Sequence, residues 1–194
     1  MIDYSITNII DTAWSLLLTK ISFPGARLVR RPVYVRGRKG ITYGKGLTTG
    51  VGCRIDASSR KKTLKIGNDA RFGDYVHINA DESVKIGDNI LTASKVFISD
   101  TSHGIYKGDV QDSPETNPST RRTITNPVEI GDNVWIGENV VILPGTKVGD
   151  GCVIGANAVL NGGTYEENSM IVGAPGRVVK RFNKDSMKWE KVAD

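Results

Sequence analysis

The chain has few of the residues that most often carry metals or redox chemistry. Among its 194 residues only two are cysteine and two are histidine. Cys53 and Cys152 lie far apart, so they make no disulfide framework, and no C-x-x-C or His-rich cluster offers zinc ligands. This usage suits a reducing, cytoplasmic compartment. Long apolar runs are also missing. The longest near the start, Ala13 to Leu18, is far too short to span a bilayer. No cleavable signal is expected either, because Asp3 stands where a basic leader would begin and Asn8 and Asp11 break the apolar stretch. Aromatic residues make up only 7% of the chain, which argues against one thick core.

Glycine, in contrast, is abundant at 22 residues, and 39% of the chain is hydrophobic. Many glycines with few aromatics point to many tight turns around slim layers. The net charge of +5 is unevenly spread. Residues 1–40 hold seven basic and two acidic side chains, residues 41–176 hold 13 and 16, and residues 177–194 hold six and three. A slightly acidic body between basic ends lacks the basic stripe of a nucleic-acid binder, so no nucleic-acid partner is expected.

A fixed period decides the fold class. From residue 130 an aliphatic side chain recurs at every sixth position: Ile130, Ile136, Ile142, Val148, Ile154 and Leu160. Glycine follows at 131, 137, 149 and 155. A small or β-branched residue comes four positions after each aliphatic, at Val134, Val140, Thr146, Cys152 and Ala158. The same beat runs through Ile66, Phe72 and Ile78, then Ile86, Thr92 and Ile98, with a weaker trace at Ile41, Leu47 and Cys53. Period six is neither helical nor a simple strand alternation. It fits a short strand plus a turn. The aliphatic residue points into a narrow prism, and the glycine takes a close approach or a positive φ that a Cβ would resist. Each coil buries its apolar face only against its neighbours, which makes an all-β solenoid over residues 41–176. Cys152 falls on an inward position and reads as a small buried hydrophobe.

Three segments stand outside the beat. Residues 3–21, within the N-terminal segment 1–40, read as an amphipathic helix ended by Pro24-Gly25. This helix has two readings. It caps the open first coil, or residues 3–39 rest as a peripheral contact on an anionic inner membrane. Residues 99–127 form a long polar, Pro-rich loop interrupting the coils, the kind of insertion that carries function. The basic tail, 177–194, is read with a short helix over 183–192.

His103 opens the inserted loop beside Asp100 and Ser102, whereas His77 sits within a repeat next to inward Ile78 and is expected to point outward. Histidine is the usual proton acceptor near neutral pH, but a loop histidine alone is an ordinary surface residue. The flanking sequence adds weight. Ala93-Ser-Lys-Val-Phe-Ile-Ser-Asp-Thr-Ser-His-Gly-Ile-Tyr, Pro127-Val-Glu-Ile-Gly-Asp-Asn-Val-Trp-Ile-Gly-Glu-Asn-Val-Val-Ile-Leu-Pro-Gly, Val153-Ile-Gly-Ala-Asn-Ala-Val and Val172-Gly-Ala-Pro-Gly-Arg-Val-Val-Lys-Arg occur in order. Through them residues 66–182 resemble the hexapeptide-repeat acyltransferases. The resemblance is to the galactoside and maltose acetyltransferase branch and, more closely, to bacterial polysaccharide and O-antigen O-acetyltransferases.

That resemblance implies a left-handed parallel β-helix, a homotrimer with sites between subunits, and acetyl-CoA as co-substrate. It implies direct transfer to a sugar hydroxyl, with His103 as general base and Asp100 as its partner. By position, Trp135, Gly137, Ala156 and Asn161 fall along the carrier's pantetheine arm, and Arg177, Lys180 and Arg181 fall near its phosphates. Trp135 and the basic trio also read as an aromatic packed outside the prism and a solvated tail. Asp74, Tyr75 and His77 are candidates for the acceptor side. Two positions depart from the family: Asn161-Gly162 stands where relatives often have Thr-Lys, and Tyr75 stands near a helper asparagine of the sugar acetyltransferases.

The same fold also carries metal-dependent carbonic anhydrases, whose zinc takes three imidazoles; two histidines cannot supply them, so no metal is expected. Amino-sugar N-acetyl transfer, a non-catalytic scaffold and a membrane-surface binding protein are the remaining alternatives.

Overall fold

The computed structural model describes residues 5–192. The six-residue beat winds into a three-faced parallel β-solenoid of about seven coils, consistent with a left-handed β-helix. Face A carries seven parallel strands, from Leu28–Val29 through Arg71–Phe72, Leu91–Thr92, Trp135–Ile136 and Val153–Ile154 to Ser169–Val172. Face B has six, from Val33–Arg36 to Val159–Leu160, and face C has six, from Ile41–Tyr43 to Gly163–Tyr165. Strands stack in register, so that Leu91, Trp135, Val153 and Met170 form one outward column on face A.

The periodic residues make the core. Ile130, Ile136, Ile142, Val148, Ile154 and Leu160 are all buried, and so are Val134, Val140, Thr146, Cys152 and Ala158. Each large aliphatic side chain taken out of water contributes roughly 1.5–3 kcal/mol. Burial pushes the Cys53 thiol up to about 11 and raises that of Cys152, which keeps both protonated and inert.

The turn chemistry divides between two residues. Gly137 is required by close approach, since a Cβ there would stand 2.6 Å from the backbone nitrogen of Ala156 in the next coil. The left-handed backbone falls two residues later, on Asn139 (φ 56°), and likewise on Asn133 and Asn157. Asparagine tolerates this region better than other non-glycine residues.

The helix spans Ile6–Ser22, with the Ser5 side chain accepting the Asn8 N–H as N-cap. It closes the first coil, but with its polar side. Thr19 Oγ1 accepts the Val29 N–H at 2.9 Å, and Ser15 Oγ accepts the Arg31 N–H at 3.2 Å. These hydroxyls satisfy the edge of the first face A strand, which no further coil pairs.

The tail corrects the expectation of a helix over 183–192. Arg177–Asn183 runs antiparallel to Ser169–Val172 and turns back as Lys188–Lys191. Phe182 faces Trp189 across this hairpin, with ring centroids 5.5 Å apart, and Asn183 Oδ1 accepts the Asp185 and Ser186 N–H groups to form the turn. A cross-strand aromatic pair favours the hairpin over a helix. The segment 99–127 is also ordered, as an arm whose base is an antiparallel ribbon of Thr101–His103 with Thr123–Thr125.

Replacing Asn139 with Ala is expected to lower stability by about 1 kcal/mol, while Asn139→Gly leaves it nearly unchanged, as measured by urea unfolding.

Candidate active site

The arm leaves the solenoid at the corner between faces B and C, after the strand Phe97–Ser99 and before Val128–Ile130. Asp100 sits at its root and is completely buried. Its carboxylate accepts the backbone N–H groups of Asp81 (3.0 Å), Glu82 (2.8 Å) and Ser83 (2.7 Å), and the Thr101 hydroxyl at 2.8 Å. The three backbone bonds tie the arm to one corner of the preceding coil, and the Thr101 hydroxyl braces the carboxylate from within the arm. The expected pairing with His103 is therefore not what the carboxylate does here; Asp100 is a staple for the arm.

His103 lies at the end of the ribbon, opposite Thr123, and is exposed in the single chain. Among the described residues no hydrogen bond reaches its imidazole. The segment beyond it is braced. The Asp112 carboxylate accepts the Ile105 N–H at 2.6 Å, and Arg121 donates to the Tyr106 hydroxyl at 2.9 Å and to the Thr116 carbonyl. Gly104 has φ 90° and packs against the Tyr106 ring, where a Cβ would meet the phenol oxygen at 2.4 Å. Nothing in the sequence pattern showed these braces, because they join residues up to 15 positions apart through a segment with no period.

The other candidates fall into separate groups. Gly137 and Ala156 meet at the corner between faces A and B. Asp74 and Tyr75 occupy the same corner lower down, with Asp74 accepting the Val51 N–H at 2.8 Å. Tyr75 has an exposed ring and holds φ 57°, the left-handed corner conformation that Lys95, Asn139 and Asn157 repeat in the coils above. Trp135 stands outward on face A, half exposed between Leu91 and Val153, and Lys180 continues that column through Met170. Arg177 and Arg181 lie exposed on the same tail strand. Asn161 instead follows the last face B strand, at the corner from which the arm leaves, two coils on. The structure thus joins Gly137, Ala156, Asp74 and Tyr75 along one edge, and separates them from His103 and Asn161 by the width of face B.

His77 points outward from face B, as expected, with partners the sequence reading missed. Its Nε2 lies 3.6 Å from Asp56 Oδ2, beyond hydrogen-bond range, and its ring packs 5.1 Å from Phe97. Arg54 donates to Asp56 at 2.7 Å, and Arg36 lies 3.6 Å from the same carboxylate. Burial, then the neighbouring Arg54 charge, hold the imidazole below its ordinary 6.5 despite Asp56. The Arg54-x-Asp56 spacing was the available signal, since alternate residues of a strand share a face.

A solenoid built of hexads defines the class of hexapeptide-repeat proteins. Known proteins agree. The family model described as bacterial transferase hexapeptide (six repeats) matches residues 127–162. The putative lipopolysaccharide biosynthesis O-acetyl transferase WbbJ of Escherichia coli K12 is 41% identical over 190 residues, covering 97% of this chain and 96% of that protein. AntD, an N-acyltransferase from Bacillus cereus solved with dTDP and 3-hydroxybutyryl-CoA, superposes with a TM-score of 0.71 over 88% of this chain and 89% of its own; at 18% identity this likeness concerns the fold. A galactoside acetyltransferase solved with coenzyme A gives a TM-score of 0.50 at 27% identity over 84% of this chain and 72% of that one. The chain belongs to the hexapeptide-repeat acyltransferases, and acyl-CoA is the co-substrate that this membership brings.

Removing the staple with Asp100→Ala leaves three part-buried N–H groups without their acceptor, and is expected to cost about 3 kcal/mol in chemical denaturation while also lowering turnover. Lost turnover at unchanged stability would return Asp100 to the imidazole. A second measurement concerns His77. The folded chain binds that proton more weakly than the unfolded chain does, so stability is fully present above pH 6.5 and declines as pH falls through the depressed value. His77→Gln is expected to flatten the dependence of the melting midpoint on pH in that acidic range.

Proposed function

We propose that this chain is an O-acetyltransferase that moves the acetyl group of acetyl-CoA to a sugar hydroxyl of a bacterial surface polysaccharide or its precursor. It acts in the cytoplasm as a homotrimer. The reading rests on one observation: the arm bearing His103 and the corner bearing Gly137, Ala156 and Tyr75 stand on opposite sides of face B. A second copy placed against that face supplies an arm to the corner, which gives each site one histidine from one subunit and one carrier groove from its neighbour. The 41% identity to WbbJ, named for lipopolysaccharide biosynthesis, supports the acceptor class.

In this reading the pantetheine arm runs along the solenoid edge at Gly137 and Ala156, where the absence of large side chains lets a chain lie close to the backbone. Trp135 flanks it, Asn161 approaches it from the subunit that lends the arm, and Arg177, Lys180 and Arg181 meet the phosphates by charge pairing. Asp74, Tyr75 and His77 line the acceptor side. His103 Nε2 takes the hydroxyl proton as the oxygen attacks the thioester carbonyl. The tetrahedral intermediate then collapses, the C–S bond breaks, and the coenzyme A thiolate leaves with that proton. No acyl-enzyme forms. The arm's internal bracing keeps the imidazole from sampling many positions, which such a transfer requires.

Changing His103 to Ala is expected to lower kcat by about 10²–10⁴-fold with the fold and assembly intact, measured as coenzyme A release with a saccharide acceptor. A scaffold would lose nothing. Release of acetate from the product by mild base identifies an ester; a product that resists it is an amide and replaces O-transfer with N-transfer.

A further inference from the structure

The N-terminal helix packs the wrong way round for a simple lid. Its side against the solenoid is mainly polar: Ser15 and Thr19 are buried, Thr12 and Ser22 are half-buried, and Leu18 is the one apolar residue among them. The opposite side carries Ile6, Ile9, Ile10, Ala13, Trp14, Leu16, Leu17 and Ile21, all exposed, over an arc of about 160° at 100° per residue. Ile6 is 77% exposed and Ile21 72%. Lys20 is the one charged residue within that arc. So continuous an apolar face left in water by a helix already anchored elsewhere marks a surface that something else covers.

We infer that this face inserts into the headgroup region of an anionic lipid bilayer and stands the solenoid upright on the membrane. Two features select lipid over a protein partner. First, the helix lies at the very end of the coil stack, and its apolar side points away from the stack, so a flat surface reaches all of it. Second, the ground around it is basic. Lys20 lies within the arc, and a groove of about 440 Å³ lined by Ile9, Ala13 and Leu16 is closed by Arg30. At the helix C-terminus Arg38 donates to the Ser22 carbonyl and lies 4.1 Å from the Phe23 ring centroid, with Arg31 at 5.7 Å. Residues 5–40 hold seven basic side chains against Asp11; of these, Arg27 pairs with Asp69 and Arg36 faces Asp56, which leaves Lys20, Arg30, Arg31, Arg38 and Lys39. An amphipathic helix with isoleucines and a tryptophan on one side and cations at its margin is built to lie in an anionic interface.

The geometry also deepens the proposed function, on which this one step rests. The arm leaves the fourth coil, three coils above the first, a rise of about 14 Å. With the width of the helix added, the root of the arm stands about 25 Å from the lipid. That height suits a glycan carried on a lipid anchor better than a saccharide drawn from bulk water. Cyclic symmetry places every copy's helix on the same side, so one assembly engages with several helices at once.

The test is flotation of the full chain with vesicles of phosphatidylethanolamine and phosphatidylglycerol, against vesicles of phosphatidylcholine alone. The parent chain is expected to float with the anionic vesicles, to lose about tenfold in partition at high salt, and to show a blue shift of tryptophan emission that Trp14→Phe abolishes. The triple variant Ile10→Ser, Leu17→Ser, Ile21→Ser is expected to partition at least ~30-fold more weakly. These side chains leave the solenoid untouched, so its melting point is retained; Lys20→Glu provides a second variant with a smaller loss. Acetyl transfer to a soluble saccharide continues in the triple variant, so failure of lipid binding and failure of the transferase reading are separate results. A parent chain that ignores anionic vesicles, or a triple variant that floats as well as the parent, overturns the proposal. Light scattering that shows the triple variant breaking the assembly apart overturns it too, by assigning the face to a second copy.

Discussion

The stack depends on one constraint: a coil of three short strands encloses too little apolar surface to be stable by itself. Each layer places an aliphatic residue such as Ile136, Ile142 or Val148 at the bottom of a narrow prism, and these side chains are covered only by the layers above and below. The same dependence holds for the backbone, since every strand takes its hydrogen bonds from the neighbouring coil. The interior therefore admits no insertion, and whatever the protein adds must leave from a corner. The arm does so between Ser99 and Val128, and the six-residue beat resumes as if nothing had intervened, with Val128, Glu129 and Ile130 in register on Val84, Lys85 and Ile86.

The constraint bears equally on the two ends, which are solved by different chemistry. At the C-terminal end the chain folds back on itself, and the hairpin of Arg177–Asn183 with Lys188–Lys191 extends face A antiparallel. At the N-terminal end the open edge is met by two hydroxyls. Ser15 and Thr19 occupy N–H groups that a further coil would have taken, and the helix binds by hydrogen bonds where an apolar lid would bind by area. Its apolar side is thereby left for another purpose.

These contrasts explain which parts of the molecule could be read from the sequence. The core was legible because burial imposes a period, and every residue placed on the inward beat from Ile130 to Leu160 is buried. The turn asparagines at 133, 139 and 157 recur with equal regularity, yet the glycines beside them drew the attribution of positive φ that the asparagines carry. Periodicity also showed that the helix is two-sided. It could not show which side faces the body, because a hydroxyl capping a strand edge and a hydroxyl facing water give the same pattern. The role of Asp100 was hidden for a related reason. Its proximity to His103 in the chain suggested a partner for the imidazole, whereas its acceptors are spent on backbone some 17 to 19 residues earlier, which only coil stacking brings near.

The distribution of the candidate residues then follows from the solenoid itself. A rigid prism cannot fold two of its edges toward each other, so side chains on different corners never converge within one chain. The arm departs from one corner, while the close-packed edge at Gly137 and Ala156 and the exposed Tyr75 lie on another. Catalysis needs a base and a carrier groove within hydrogen-bond reach of one acceptor. In the proposed homotrimer that need is met by association, since rotation about a common axis brings one copy's corner to another's arm without bending either. The long braced insertion is the part that makes such an arrangement possible. In that proposal it offers an exposed histidine to a neighbour, and Asp100 ties the root of the insertion to the preceding coil.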